Sequence, residues 1–390
     1  MVTWDGAGNI PPEFALCQAL VEAGHSVHVL THDSLSQRVF DIGATFIRIK
    51  EAGQFDSSLE SQSNEERFQK ILDNVLLSKA FLTDLDATLD ETSPNVVIVD
   101  SLMLLALALV KQHNIPTIGF NHTLADYVFG GEFEEFFTKG SFDSIVEARE
   151  LSAKDFFDSI VEAWEMSAYE TPIQALYEAD VILTSTYKEF DSLNAKVPDH
   201  LIHIGPLRGK AGFEQQQIER KFPNRPLVVI SLSTSFVDQG ELIQRLVNVL
   251  AHLEVEGFVT TGPAISEATL SLPENVSAAE FIPHEAILPI TDLLITHAGH
   301  GTVMAGVTFA TPMLCIPMGG DQPQVAARAR DLGLAHVCES DTSLDVIADE
   351  VNAAINDTEM AKNVRLFSNQ VQTHPGIELA IKCIEEQMGV

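Results

Sequence analysis

Short runs of valine, isoleucine and leucine alternate along the chain with stretches in which apolar residues recur every three or four positions. Runs of the first kind fall at 26–30, 45–49, 96–99 and 117–120, and again at 181–184, 227–231, 257–260, 293–296 and 313–316. They are apolar on both faces, as parallel strands covered by helices must be. After the opening loop, residues 13–23 set Phe14, Cys17, Leu20 and Val21 on one stripe and stop at Gly24, which predicts the first crossover helix. Two series of this kind predict an α/β fold made of two doubly wound, Rossmann-like domains. The polar stretch 205–225, with its Gly-Pro start and Gln-Gln-Gln run, marks the boundary, giving domains at 1–205 and 206–375.

Two features do not follow from the alternation. Only Met1 to Trp4 remain to form a strand ahead of the first loop, so either that strand is short or the natural start lies upstream. Residues 142–153 (FDSIVEARELSA) recur as 157–168 (FDSIVEAWEMSA), identical at 10 of 12 positions. An offset of 15 residues turns a helix by only about 60°, so the duplication reads as one lengthened amphipathic helix or a helical pair at the surface. The neighbouring aromatic run 129–137 reads as core packing or as a lid over an apolar ligand.

Charge and cysteine content narrow the field. The 390 residues carry 23 basic and 56 acidic side chains, a net charge of −33, which repels phosphate backbones and excludes general nucleic-acid binding. The apolar run 102–110 has nine residues and is too short to cross a bilayer. Asp5 and the glycine-rich turn after it do not read as a secretory leader. The four cysteines are far apart and form no Cys-x-x-Cys pair, as expected of a reducing compartment, the cytoplasm.

The sharpest motif is DLLITHAGHGTVMAGVTFATPMLCIPMGGDQ at 292–322. A buried strand runs into a glycine turn, and a helix is expected to begin near Thr302. Gly299 and Gly301 let main-chain amides approach an anion, the helix N-terminus adds partial positive charge, and Thr302 adds a hydroxyl. His297 and His300 can donate to phosphate oxygens, so the loop reads as a diphosphate site. Zinc at this histidine pair lacks a third ligand at metal spacing. Asp321 and Gln322 open the following helix. They read either as a cap or as a carboxylate and an amide that hold vicinal hydroxyls at the carboxyl edge of a sheet. Gly6 and Gly8 also invite a dinucleotide-binding reading with Asp33 as ribose partner, but Pro11 stands where a small residue should pack.

Taken together, residues 281–322 resemble the nucleotide-sugar signature of the family 1 glycosyltransferases with the GT-B architecture, of the actinobacterial natural-product and macrolide type. The resemblance extends more weakly over nearly the whole chain. It implies that Phe281, with Ile282, lies against the nucleotide base, that His297 and 299–302 bind the diphosphate, and that Asp321 and Gln322 grip the sugar. The family's earlier Ser-Leu-Gly-Thr turn falls on Ser231 to Thr234, with Ser233 in place of the glycine. A Glu that many members use for the ribose hydroxyls falls on Ala305, which tilts the donor from a UDP-sugar towards a TDP-sugar. The family's base, a His three residues before Pro12, is Asn9 here, while the Asp that orients it is present as Asp100. An amide is no base, so either the proton acceptor is one of Asp100, His122, Asp5 and Asp321, or the acceptor is an amine, an acidic phenol or a carboxylate that needs little base assistance; Asn9→Ala is expected to cost little transfer rate. The resemblance further implies a C-terminal helix, 376–390, crossing back to the first domain. It implies no cofactor and no metal, an apolar small-molecule acceptor, inversion at the anomeric carbon, and no stable membrane insertion. A non-hydrolysing sugar-nucleotide epimerase and a catalytically silent ligand-binding protein are the alternatives.

Overall fold

The computed structural model describes residues 1–55, 70–131, 153–192, 196–208, 218–232, 239–262, 265 and 269–390. The first copy of the repeat, apart from Ala153, and most of the aromatic run 129–137 lie outside them. The chain divides into two compact units, one built from the residues up to Lys210 with Pro375–Val390, the other from Ala211–His374.

The first unit is a parallel sheet. Strands β1 (His28–Thr31) and β2 (Thr45–Arg48) pair with each other, and β3 (Val97–Asp100), β4 (Thr117–Asn121), β5 (Val181–Thr184) and β6 (Leu201–His203) pair in that order. The chain start joins the two groups. Val2 bridges Leu30 on one side and Val99 on the other, so Met1 to Trp4 do the work of a central strand without the length of one. The spatial order is then β2, β1, chain start, β3, β4, β5, β6, and the direction of winding reverses between the chain start and β3. Helix α1 (Ile10–Glu22) begins three residues earlier than its stripe predicts, because Pro11 and Pro12 sit in the first turn, where a missing N–H costs nothing. Leu16 and Leu20 of α1 pack with Ile98, Phe120 and Leu183 of the sheet and with Ala380, Cys383 and Ile384 of the last helix, Ile377–Met388.

Helix α2 (Lys79–Thr92) carries an N-cap, Ser78, whose hydroxyl accepts from the Phe81 N–H, and lies over the same sheet. Helix α3 (Leu104–Gln112) is the apolar run noted above. Every residue from Leu104 to Val110 is buried, so it is a core helix, apolar all round because protein covers it on all sides. Each of its leucines stabilises the unit by on the order of 2 kcal/mol. Among the described residues, no helix is long and apolar enough to cross a membrane. The second copy of the repeat is helical only as far as Ala163. Helix α4 (Ala153–Ala163) buries Phe157, Ile160 and Val161, and the chain turns at Glu165 in the left-handed region. That copy is therefore core on one face, not a free surface helix.

The second unit is a six-stranded parallel sheet in the order β12 (Ala335–Val337), β11 (Met313–Cys315), β10 (Leu293–Thr296), β7 (Leu227–Ser231), β8 (Glu256–Thr260) and β9 (Val276–Ala279). Its winding reverses between β7 and β10. In doubly wound sheets the loops that leave the carboxyl ends at such a reversal form a ligand crevice. The four cysteines are all buried and free.

Candidate active site

Each unit gathers chemistry at its own reversal point. In the first unit, α1 starts at the end of the chain-start segment with Asn9 at its N-cap position. The Asn9 side chain makes no capping bond. It turns inward, 1% exposed, and its Nδ2 lies 2.9 Å from the Trp4 carbonyl, 3.1 Å from Thr3 Oγ1, 3.2 Å from Glu13 Oε2 and 3.2 Å from Asp100 Oδ2. Asp100, at the end of β3, is wholly buried. Its Oδ1 accepts from the Leu102 N–H at 2.8 Å, which fixes the carboxyl plane. Asn9 is thus a donor set between two carboxyl groups, inside the unit and not at its surface. Glu13, one turn into α1, was not singled out by the sequence, where it reads as an ordinary acid in a first helical turn.

His122 follows β4 on the same edge. Its Nδ1 is 3.5 Å from Asp100 Oδ2, and its side chain keeps 17% exposure while Asp100 has none. That is an electrostatic pair slightly longer than a formed hydrogen bond, and Nδ1 makes no hydrogen bond among the described residues. Asn121, immediately before it, is fully buried and donates to the Thr123 carbonyl at 2.8 Å and to Thr184 Oγ1 at 2.9 Å, anchoring the turn that carries His122. An imidazole–carboxylate pair is therefore present, with the ring supplied from β4 instead of from the first loop. Asp5 is engaged elsewhere, accepting from Ser34 Oγ at 2.7 Å.

In the second unit, β10 ends at Thr296 and helix α5 spans His300–Thr308, starting two residues earlier than expected, with Gly299 at its N-cap. The loop between is tight. Ala298 is in the left-handed region at φ 64, a conformation that costs an alanine roughly 1 kcal/mol. The His297 ring folds over Gly299 so closely that a Cβ there would sit 2.2 Å from Nε2. A Cβ on Gly301 would meet nothing within 4 Å, so the first turn is open to a ligand. The Thr302 amide is spent on the Gly299 carbonyl at 3.0 Å, so the residue's contribution is its hydroxyl. His297 and His300 are buried. Burial lowers the His297 imidazole to about 4; a main-chain hydrogen bond with Ser231 opposes this, and the charge of His284 adds to it. At neutral pH the ring is uncharged and acts as a hydrogen-bond donor or acceptor, not as a cation. Ser231 ends β7 across the reversal point, its Oγ 3.5 Å from His284 Nε2, while Thr234 lies outside the described residues. Among the described residues, no group of three or more His, Cys, Asp and Glu gathers as a metal site.

Phe281 is 67% exposed, unusual for a phenyl ring, and Ile282 beside it is buried. Asp321 stands at the N-cap of the helix Gln322–Asp331 but makes no capping bond, which removes the pure capping reading. Gln322 is buried and its Oε1 accepts from the amides of Met318 and Gly319 at 2.8 and 3.2 Å. Its carbonyl holds the loop, which leaves its NH₂ for other contacts. Ala305 is buried in α5.

Residues 244–385 match the family model "Erythromycin biosynthesis protein CIII-like, C-terminal domain". The chain is 23% identical to NDP-glycosyltransferase YjiC of Bacillus subtilis (strain 168), over 100% of this chain and 96% of that one. It is 28% identical to the oleandomycin glycosyltransferase of Streptomyces antibioticus, over 47% of this chain and 44% of that one. In three dimensions it superposes on the glycotransferase of kitacinnamycin with a TM-score of 0.81 at 22% identity, covering 99% and 98% of the two chains. The glycosyltransferase VinC in complex with DTDP superposes with a TM-score of 0.71 at 19% identity, covering 100% and 98%. The chain is a glycosyltransferase similar to family 1 enzymes of the natural-product type. The two α/β units of this glycosyltransferase are the two Rossmann-like halves of the GT-B architecture.

Proposed function

We propose that this glycosyltransferase moves a hexose from a nucleoside-diphosphate sugar, with thymidine preferred to uridine, to a hydroxyl of an apolar small molecule, with inversion and without a metal ion. The observation that carries the reading is the β10–α5 loop, where a neutral buried histidine, an open glycine and a helix N-terminus meet at a sheet reversal. As the sugar leaves, the bond from the anomeric carbon to the diphosphate breaks and negative charge grows on the phosphate oxygens. The α5 N-terminus, the Thr302 hydroxyl and His297 meet that charge, the role a metal ion plays elsewhere. Gly299, His300 and Gly301 complete the cradle, and Ser231 borders it. Phe281 offers its exposed face, next to Ile282, to the base. Asp321 and the Gln322 NH₂ take the sugar hydroxyls. Ala305 provides no carboxylate for a ribose 2′-hydroxyl, which favours a deoxyribose donor, and the neighbour solved with DTDP supports this.

On the acceptor side, His122 takes the hydroxyl proton as the oxygen attacks, and Asp100 orients the ring and balances the imidazolium that forms. The oleandomycin relative, named for a macrolide, supports an acceptor of apolar natural-product type. The test is release of nucleoside diphosphate from TDP-glucose as a function of pH. His122→Gln is expected to slow it by roughly 10²–10⁴-fold, and EDTA to leave the wild-type rate unchanged. An undiminished rate in His122→Gln would move the base elsewhere.

A further inference from the structure

The Asn9 cluster has more acceptors than donors. A primary amide carries two N–H bonds, and four acceptors stand within reach of Asn9 Nδ2. Thr3 adds one O–H, given to Glu13 Oε2. Three protons therefore serve the Trp4 carbonyl, Asp100 Oδ2 and Glu13 Oε2. Glu13 Oε1 is left buried with no hydrogen-bond partner. Thr3, Glu13 and Asp100 are each wholly excluded from solvent. Two ionised carboxylates sharing one amide in such a place would be strongly unfavourable.

The ionisable groups facing Glu13 are Asp100 from β3, the Met1 amino group from the chain start and Cys17 one turn further along α1. His122, from the end of β4, faces Asp100. Burial, and after it the charge of Asp100, push the Glu13 carboxyl well above the usual carboxylate range.

We propose that Glu13 is a positioning residue for sugar transfer: held as the neutral acid between Thr3 and Asp100, it leaves a single negative charge, on Asp100, to face His122. Its O–H supplies the missing fourth proton, and Asp100 then receives donors from Leu102, Asn9 and Glu13 while one side stays open to the imidazole. A second negative charge behind Asp100 would favour the imidazolium, the form that cannot accept a proton. This role rests on the reading of His122 as base.

Infrared spectroscopy of the full chain tests the protonation without any variant. At neutral pH the spectrum should contain the carbonyl stretch of a neutral carboxylic acid, a band carboxylates lack, and it should shift when the chain is labelled with isotope at the glutamate side-chain carboxyl but not at aspartate. The kinetic arm follows thymidine diphosphate released from TDP-glucose, with water in the acceptor's place. Glu13→Ala should lower kcat by about tenfold or more, leave the donor KM unchanged, and displace the acid limb of the kcat profile. Glu13→Gln, which keeps a donor towards Asp100, should restore both rate and limb. Absence of a glutamate acid band, or a Gln variant no better than the Ala variant, overturns the proposal. The base reading fails separately: an intact limb in His122→Gln would remove the base while the infrared band still reports on Glu13.

Discussion

Replacing Asn9 by alanine removes the single donor that the Trp4 carbonyl and the two buried carboxyl groups share. Only two of its contacts can be full hydrogen bonds at once. One to a neutral carbonyl is worth roughly 1 kcal/mol and one to a charged carboxylate roughly 1.5–3 kcal/mol, so the loss is about 2.5–4 kcal/mol. A water molecule admitted to the vacated space would recover part of this, giving a floor of about 2 kcal/mol. Were Asn9 merely an N-cap, the cost would be about 1 kcal/mol, but its side chain makes no capping bond. The assay is urea unfolding followed by tryptophan fluorescence. Both tryptophans of the chain, Trp4 and Trp164, belong to the first unit, so the signal reports that unit. The midpoint should fall with the slope unchanged. A loss under about 0.5 kcal/mol would refute the reasoning and return Asn9 to a bystander's role.

Three further outcomes follow from the second unit. Gly299→Ala drives a methyl into the His297 ring, so it should weaken TDP binding about as much as His297→Ala, roughly 10- to 100-fold, and the double variant measured by calorimetry should be no worse than either. His297 is lowered from 6.5 to about 4, so between those values the unfolded chain binds the extra proton; stability should fall as pH drops through that window, by roughly 3 kcal/mol in total, and comparison with His297→Gln in thermal melts should show the difference vanish at neutral pH. Asp321→Ala should impair turnover of TDP-glucose while leaving affinity for TDP nearly unchanged, because the side chain makes no capping bond whose loss would disturb the phosphate loop; equal losses in both would assign it to the diphosphate.

The strands that were legible in the sequence are the buried ones. Val97 to Asp100, Val181 to Thr184 and Leu293 to Thr296 are covered on both faces, so burial wrote itself into consecutive apolar residues. Strands β6, β9 and β12 were missed because they are three or four residues long and read LIH, VSAA and AHV, too short and mixed to stand out from loops. The β10–α5 loop was legible because glycine spacing and histidines record a backbone path. The cluster around Asp100 was less so. Asp100 and Asn9 could be located by position, but the coupling of Asn9 to Glu13 depends on α1 beginning at Ile10, which puts the two residues four apart across its first turn. An acid inside an otherwise apolar first turn was the available signal. That His122 would approach Asp100 depends on β4 lying beside β3, a pairing between strands that no local pattern encodes.

Calorimetric titration of the glycosyltransferase with thymidine and with thymidine diphosphate tests most directly whether the amino end of α5 holds a diphosphate. The diphosphate should bind at least about 100-fold more tightly than the nucleoside, the equivalent of two charge-assisted hydrogen bonds, and His297→Ala should erase most of that advantage without touching nucleoside affinity. Equal affinity for the two ligands, or an advantage that survives His297→Ala intact, would contradict it.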